Sequence, residues 1–154
     1  MATIKETLAS SDLFRGLTDD ELQRIAEISR VEIYEKGSVL FTESSAAEDV
    51  YIIEIGKVAM EMSLAGTPGM GKQATVETVT KGGGCGWSAL SGTPVYTLTA
   101  RSIEPVRAIA IDGNRLYNLL KEDPHLGYRV MSRLATAVSA RLRNIRMTLR
   151  MFHR

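Results

Sequence analysis

Between Val31 and Ile111 the side chains change character at every second residue. Val58, Met60, Met62 and Leu64 alternate with Ala59, Glu61 and Ser63, and Tyr96, Leu98 and Ala100 alternate with Thr97, Thr99 and Arg101. A period of two belongs to an extended chain with one buried face, because successive side chains of a strand leave opposite faces. Turn signals interrupt the pattern at Lys36-Gly37, Gly56, Gly66 through Gly71, Gly82 through Gly86, and Gly92 to Pro94. The strands are therefore short and closely spaced, and such a set closes as antiparallel strands in a sandwich or barrel.

Helical periodicity flanks this segment. Residues 1–30 hold a short helical stretch around Ile4 to Leu8, ending near Ser10 to Phe14, and then a second helix. Thr18 to Glu21 has the Ser/Thr-x-x-Glu form of a capping box, with Leu17 and Leu22 at its staple positions and Leu22, Ile25 and Ala26 on one face. After Ile111, residues 112–122 form a short helix that Asp112 or Asn114 can cap, with Leu116, Leu119 and Leu120 as its stripe. Asp123-Pro124 supplies a further N-cap with proline at the first helical position, opening a long helix over 124–150. Its stripe is Leu126, Val130, Leu134, Val138, Leu142, Ile145, Leu149 and Phe152. A helix of that length spans roughly 40 Å. It outruns the core that a roll over residues 31–111 can offer, so the part past Leu142 needs another partner or frays. A second copy of the chain is the simplest partner, and Leu126, Val130, Leu134, Val138, Leu142, Ile145 and Leu149 are read as a homodimer interface.

A chain of 154 residues that is 44% hydrophobic and 24% charged reads as a single domain over 1–154, able to bury a core without disulfide or metal. Cys85 is the only cysteine, which excludes an intrachain disulfide and any multi-cysteine zinc site and agrees with a reducing compartment. No apolar run approaches a membrane span, and the first residues lack a signal-peptide pattern, so a cytoplasmic location is expected. The net charge of +1 conceals two unlike parts. Residues up to Asp123 carry all 18 acids and 12 Lys and Arg, a charge of −6, whereas Pro124 to Arg154 carries seven Arg and no acid, +7.

In this order the elements resemble the cyclic nucleotide-binding domain family, which includes the catabolite activator protein. Ser11-Asp12-Leu13-Phe14-Arg15-Gly16-Leu17-Thr18 is similar to the family's first helix and turn. Tyr34-Glu35-Lys36-Gly37-Ser38-Val39-Leu40-Phe41 resembles its first strands, and Asp49 through Val58 the strand and turn that follow. The resemblance implies an α+β fold: an antiparallel double-stranded β-helix, a jelly-roll-like β-roll, with N-terminal helices before it and two C-terminal helices after it. It places the ligand cassette between the sixth and seventh strands, on Gly84, Cys85, Gly86, Trp87, Ser88 and Ala89 through Val95, Tyr96 and Thr97.

Here the sequence departs from the family pattern. Members that bind cyclic AMP or GMP have a glutamate, for the sugar 2′-hydroxyl, where this chain has Trp87, and an indole N–H only donates. They have an arginine, for the cyclic phosphate, where this chain has Val95 or Pro94. The absent arginine removes about 2 to 3 kcal/mol of charge-assisted bonding. Arg101 or Lys57 is a candidate replacement charge. What remains is the glycine-rich turn, whose successive N–H groups suit an anion.

Single residues carry bland readings beside the functional ones. Gly82 to Gly86 fits neither a P-loop nor a dinucleotide fingerprint, and reads as a turn needing positive φ at several positions. Trp87 either stacks on a bound base or fills the volume of the ribose, and the second is favoured. Tyr96 reads as a core ring before a ligand contact, and Cys85 as a small loop residue before a redox sensor. His125 and His153 are too few for a metal site, and Ser88 lacks a nucleophile elbow, so no enzyme activity, no metal and no resident cofactor are expected. The expected function is a regulatory sensor domain that binds a small anion, a cyclic nucleotide or a substitute, and signals to a protein partner through residues 112–154. The alternatives are a dimerisation module with no ligand, its pocket filled by Trp87, and a binder of nucleic acid or an anionic surface through Arg129, Arg133, Arg141, Arg143, Arg146, Arg150 and Arg154. In related bacterial regulators a helix-turn-helix follows the long helix, and this sequence ends where that would begin.

Overall fold

The computed structural model describes residues 2–67 and 70–152. Helices α1 (Ile4–Ala9) and α2 (Asp19–Ala26) come first, and α2 opens on the capping box read from the sequence. The Glu21 amide donates to Thr18 Oγ1 at 3.2 Å, and the Thr18 amide donates to the Glu21 carboxylate at 2.8 Å.

The roll comprises β1 (Ser29–Tyr34), β2 (Val39–Phe41), β3 (Asp49–Ile55), β4 (Val58–Ala65), β5 (Lys72–Val79), β6 (Gly84–Cys85), β7 (Thr99–Ser102) and β8 (Val106–Asp112). They form two antiparallel four-stranded sheets, ordered β1-β8-β3-β6 and β2-β7-β4-β5. Their inner faces meet in a core that includes Val50, Ile52, Ile53, Val58, Met60, Ile109 and Ile111, and Leu8, Phe14 and Ile25 bring the N-terminal helices onto it. The fold is the jelly-roll-like α+β arrangement expected.

One strand boundary differs from the sequence reading. Tyr96 and Leu98 are buried and Thr97 is exposed, as alternation requires, yet β7 begins only at Thr99. Residues 94–96 pair instead with the loop before β3. The Tyr96 amide donates to the Ser45 carbonyl, and the Ser44 and Ala47 amides donate to the Tyr96 and Pro94 carbonyls. Among the described glycines of the turn at residues 82–86, positive φ occurs at Gly82 and Gly86, not at Gly83 or Gly84.

Helix α3 (Gly113–Glu122) is capped by Asp112, whose carboxylate accepts from the Arg115 amide. Helix α4 (Pro124–Phe152) starts where Asp123 accepts from the Leu126 amide at 3.2 Å, with Arg24 of α2 pairing the same carboxylate at 3.1 Å. It runs along α3 and β5. The apolar stripe divides along its length. Leu126, Val130 and Leu134, read above as part of a dimer interface, are buried in the chain's own core, whereas Val138, Leu142 and Leu149 are exposed and Ile145 is partly buried. The correction has a simple cause: the first three turns of α4 lie against α3 and the N-terminal segment, with Gly127 on Leu120, Arg129 paired with Glu21 and Arg133 bonded to the Asp12 carbonyl, so their apolar face finds a partner within the same chain. His153 and Arg154, and the side chain of Phe152, lie outside the described residues.

The opposite charges of body and helix meet in the fold. Arg129 pairs with Glu21, Arg141 pairs with Glu77, and Arg133 donates to the Asp12 carbonyl at 3.3 Å. Burial pushes the Glu21 carboxyl up, but the bonds from Thr18 and the charge of Arg129 outweigh it and hold the group below the usual carboxylate range. A carboxylate depressed in the folded state stabilises the fold above its unfolded value, near 4.3, and that contribution disappears as pH falls through the folded value. Glu21→Gln is therefore expected to lower the melting temperature at pH 7 and to flatten the acid limb of the stability profile below about pH 4.3, as read by thermal melts from pH 7 to pH 2.

Candidate functional site

Strand β6 pairs with β3, Cys85 opposite Tyr51 and Gly84 opposite Ile52, and so places the following segment at one end of the roll. Gly86 turns the chain with φ of 81°, and a Cβ there would stand 2.7 Å from the Asp49 carbonyl oxygen. A 3₁₀ turn, Trp87–Leu90, follows, and residues 91–98 lead back to β7. Facing this cassette is the α4 segment from Met131 to Ile145. Between them lies a cavity of about 370 Å³.

The cavity wall is mostly apolar. Phe41, Met60 and Leu98 come from the roll, and Leu134, Val138 and Ile145 from α4. Among the described residues, Arg141 is the only charged one that lines it. The Arg141 side chain is buried, at 8% exposure for the residue. Its Nε donates to the Glu77 carboxylate on β5, and its guanidinium carbon lies 3.9 Å from the centroid of the Trp87 ring. A cation over an indole face is held by the ring quadrupole, more strongly when desolvated. Arg141 Nη2 and Trp87 Nε1 are both buried without a hydrogen-bond partner among the described residues. An unsatisfied buried donor costs roughly 1 to 3 kcal/mol.

Of the cassette residues expected to bind ligand, Gly86, Trp87, Ser88, Tyr96 and Thr97 line this cavity. Gly84, Cys85, Ala89 and Val95 do not. Val95 is 40% exposed and bridges to Ala46, so the position assigned to a phosphate-binding arginine is not part of this cavity. Tyr96 is a core ring: it stacks on Phe41 with centroids 3.8 Å apart, and its hydroxyl donates to the Asp49 carbonyl at 2.7 Å while accepting from the Asp49 amide. The Trp87 indole lines the cavity, with Arg141 against its face. The two candidate replacement charges are engaged elsewhere: Arg101 with Glu61 at 3.1 Å, Lys57 with Glu104 at 3.6 Å.

The cation at the cavity is Arg141 of α4 and not a residue of a neighbouring strand. The signal for it lay in the spacing: Leu134, Val138, Arg141 and Ile145 follow at steps of four, three and four, which places the arginine on the apolar stripe itself.

Cys85 is fully buried, and burial pushes its thiol up to about 12. A thiol held protonated is a poor nucleophile, which removes the redox-sensor reading. The folded protein is expected to resist iodoacetamide at pH 8 and to take up one equivalent once unfolded in urea, as read by intact mass. Among the described residues no cluster of His, Cys, Asp or Glu is arranged to hold a metal ion, and no helix is long and apolar enough to cross a membrane.

Residues 31–123 match the family model of the cyclic nucleotide-binding domain. The chain belongs to the cyclic nucleotide-binding domain family. It is similar to a protein described as cyclic nucleotide-binding from Geobacter metallireducens GS-15, at 34% identity over 92% of this chain and 99% of that one, with a TM-score of 0.77. It shares its fold with the sensor domain of the transcriptional regulator DNR from Pseudomonas aeruginosa, at 19% identity, 86% and 91% coverage, and a TM-score of 0.70. The same holds for the catabolite activator protein of Thermus thermophilus, at 22% identity over 92% of this chain and 63% of that chain, with a TM-score of 0.72. No curated protein matches the chain. Against that family background, the cassette of this cyclic nucleotide-binding domain lacks both usual side-chain hooks for a sugar phosphate, and the cation at its cavity comes from α4.

Proposed function

We propose that this domain is a regulatory sensor: a small anionic ligand enters the cavity between the cassette and α4, and occupancy is passed on through the distal half of α4. The observation that carries the reading is the cavity itself, whose two sides belong to the cassette and to α4 and whose one charge, Arg141, sits on the helix. A ligand there touches the element that would move. It shifts α4 only as far as its affinities for two helix positions differ. The buried first turns, at Leu126, Val130 and Leu134, and the exposed apolar residues Val138, Leu142 and Leu149 support a division into a fixed root and a distal output segment held to the roll mainly at Arg141 and Ile145. A second copy of the chain is the proposed partner of that segment in a homodimer.

The test is a thermal-shift screen of dialysed protein against cyclic mononucleotides, cyclic dinucleotides and small organic anions. A ligand at a hundred times its Kd adds about 2.7 kcal/mol, enough to raise the melting temperature by several degrees. The expected result is stabilisation by at least one of these classes. A blank screen contradicts the reading, and cyclic AMP binding regained by a Trp87→Glu, Val95→Arg double variant would then favour the ligand-free alternative.

A further inference from the structure

We infer that the cavity takes a monocarboxylate with an apolar body rather than a sugar phosphate, and that Arg141 of α4 holds its carboxylate. This rests on the cavity being the ligand site. Phe41, Met60, Leu98, Leu134 and Ile145 surround the space, and no lining residue is an acid, an amide or a histidine. The hydroxyls of a ribose and the polar edges of a base would lose water there and find few partners, a poor exchange in an apolar setting. An alkyl or aryl body loses nothing by the same transfer and buries its surface against those side chains.

The charges at the wall allow the ligand one negative charge at most. Arg141 is the sole cation of the wall, and Glu77 already engages its Nε. Nη2 remains without a hydrogen-bond partner although the residue is more than nine-tenths buried. Nη2 itself is closed off from solvent, so a single carboxylate would meet Arg141 where the residue lines the cavity, and the guanidinium's donors match carboxylate geometry. A phosphate monoester dianion would bring a second charge that is desolvated without a partner, while a cyclic nucleotide, whose diester carries one charge, is disfavoured by its ribose and base rather than by its charge. The Trp87 face beneath the guanidinium keeps the donor plane in place for the incoming group.

Trp87 is the only tryptophan, so its emission reports on this site alone. The probes are 4-phenylbutyrate, its neutral amide, inorganic phosphate and cyclic AMP, titrated into the full chain while Trp87 emission is followed, with melting temperatures recorded in parallel. The expected result is that 4-phenylbutyrate binds at least tenfold tighter than its amide. Arg141→Leu should abolish that preference, Arg141→Lys should retain part of it, and Glu77→Gln, which leaves the whole arginine charge to the ligand, should strengthen carboxylate binding severalfold. Should Arg141→Leu fail to fold, as read by circular dichroism, the Glu77→Gln comparison decides. Equal affinity of acid and amide overturns the carboxylate anchor while the ligand cavity stands. Tighter binding of cyclic AMP or phosphate than of 4-phenylbutyrate overturns the ligand class. No response to any of the four overturns the inference, and a blank thermal-shift screen beside it brings down the sensor reading too.

Discussion

Leu126→Ala is expected to lower the free energy of unfolding by about 2 to 5 kcal/mol, whereas Leu142→Ala, on the same helical stripe, should change it by less than about 0.5 kcal/mol. The two leucines differ in what the fold places against them. Leu126 is 0% exposed, in the first turn of α4, and truncation leaves a cavity the surroundings fill only in part. Leu142 is 59% exposed, at the rim of the cavity, and truncation there leaves no void in the core. Urea unfolding followed by circular dichroism at low protein concentration separates the two. At high concentration Leu142→Ala should in addition weaken self-association, because a dimer joined through the distal helix makes stability depend on concentration. Equal costs for the two variants at low concentration would mean that the distal half of α4 is docked as firmly as its root.

The second large effect is expected at Gly86→Ala. The backbone there has a φ of 81°, and the new Cβ would lie 2.7 Å from the Asp49 carbonyl oxygen, which belongs to the backbone of β3 and cannot swing aside. Left-handed strain alone costs of order 1 to 3 kcal/mol, and the clash adds to it. The cassette must therefore move off β3 or the turn must rebuild. Either response displaces Trp87, the next residue, so a loss of stability above about 2 kcal/mol should come with a changed Trp87 emission spectrum in the folded state. Gly92→Ala is the control. Gly92 has no positive φ, and a Cβ there meets nothing within 4 Å, so the change should be within about 0.5 kcal/mol. If Gly86→Ala is as mild as Gly92→Ala, the cassette is not held against β3 as described.

What could be read from the sequence was whatever depends on neighbours in the chain. The Thr18–Glu21 box, Asp112 and Asp123-Pro124 are caps whose partners lie within three residues, and all three form as written. The period of two marked the strands because burial of one sheet face imposes it. It overreached at Tyr96 to Leu98, where alternating burial is sustained by packing and by bonds to residues 44–47 instead of a strand ladder. The site was legible only in half. The cassette was placed by its glycines and by resemblance, but Glu77, Trp87 and Arg141 are brought together by the docking of α4 along β5, which no local pattern encodes. The dimer stripe was misread at its root for the same reason: Leu126, Val130 and Leu134 carry the period of a helix face without saying whether the roll or a second chain covers it.

The central claim is that the cavity couples the cassette to the distal half of α4, and amide hydrogen exchange tests it most directly. Exchange is measured by mass spectrometry across α4 with and without saturating 4-phenylbutyrate, or whichever anion the thermal-shift screen returns. The root over residues 124–134 is docked already and should change little, while exchange over 138–150 and in the cassette over 86–98 should slow together. Slowing confined to the cassette, with residues 138–150 exchanging as in the free protein, would contradict a signal carried by the helix.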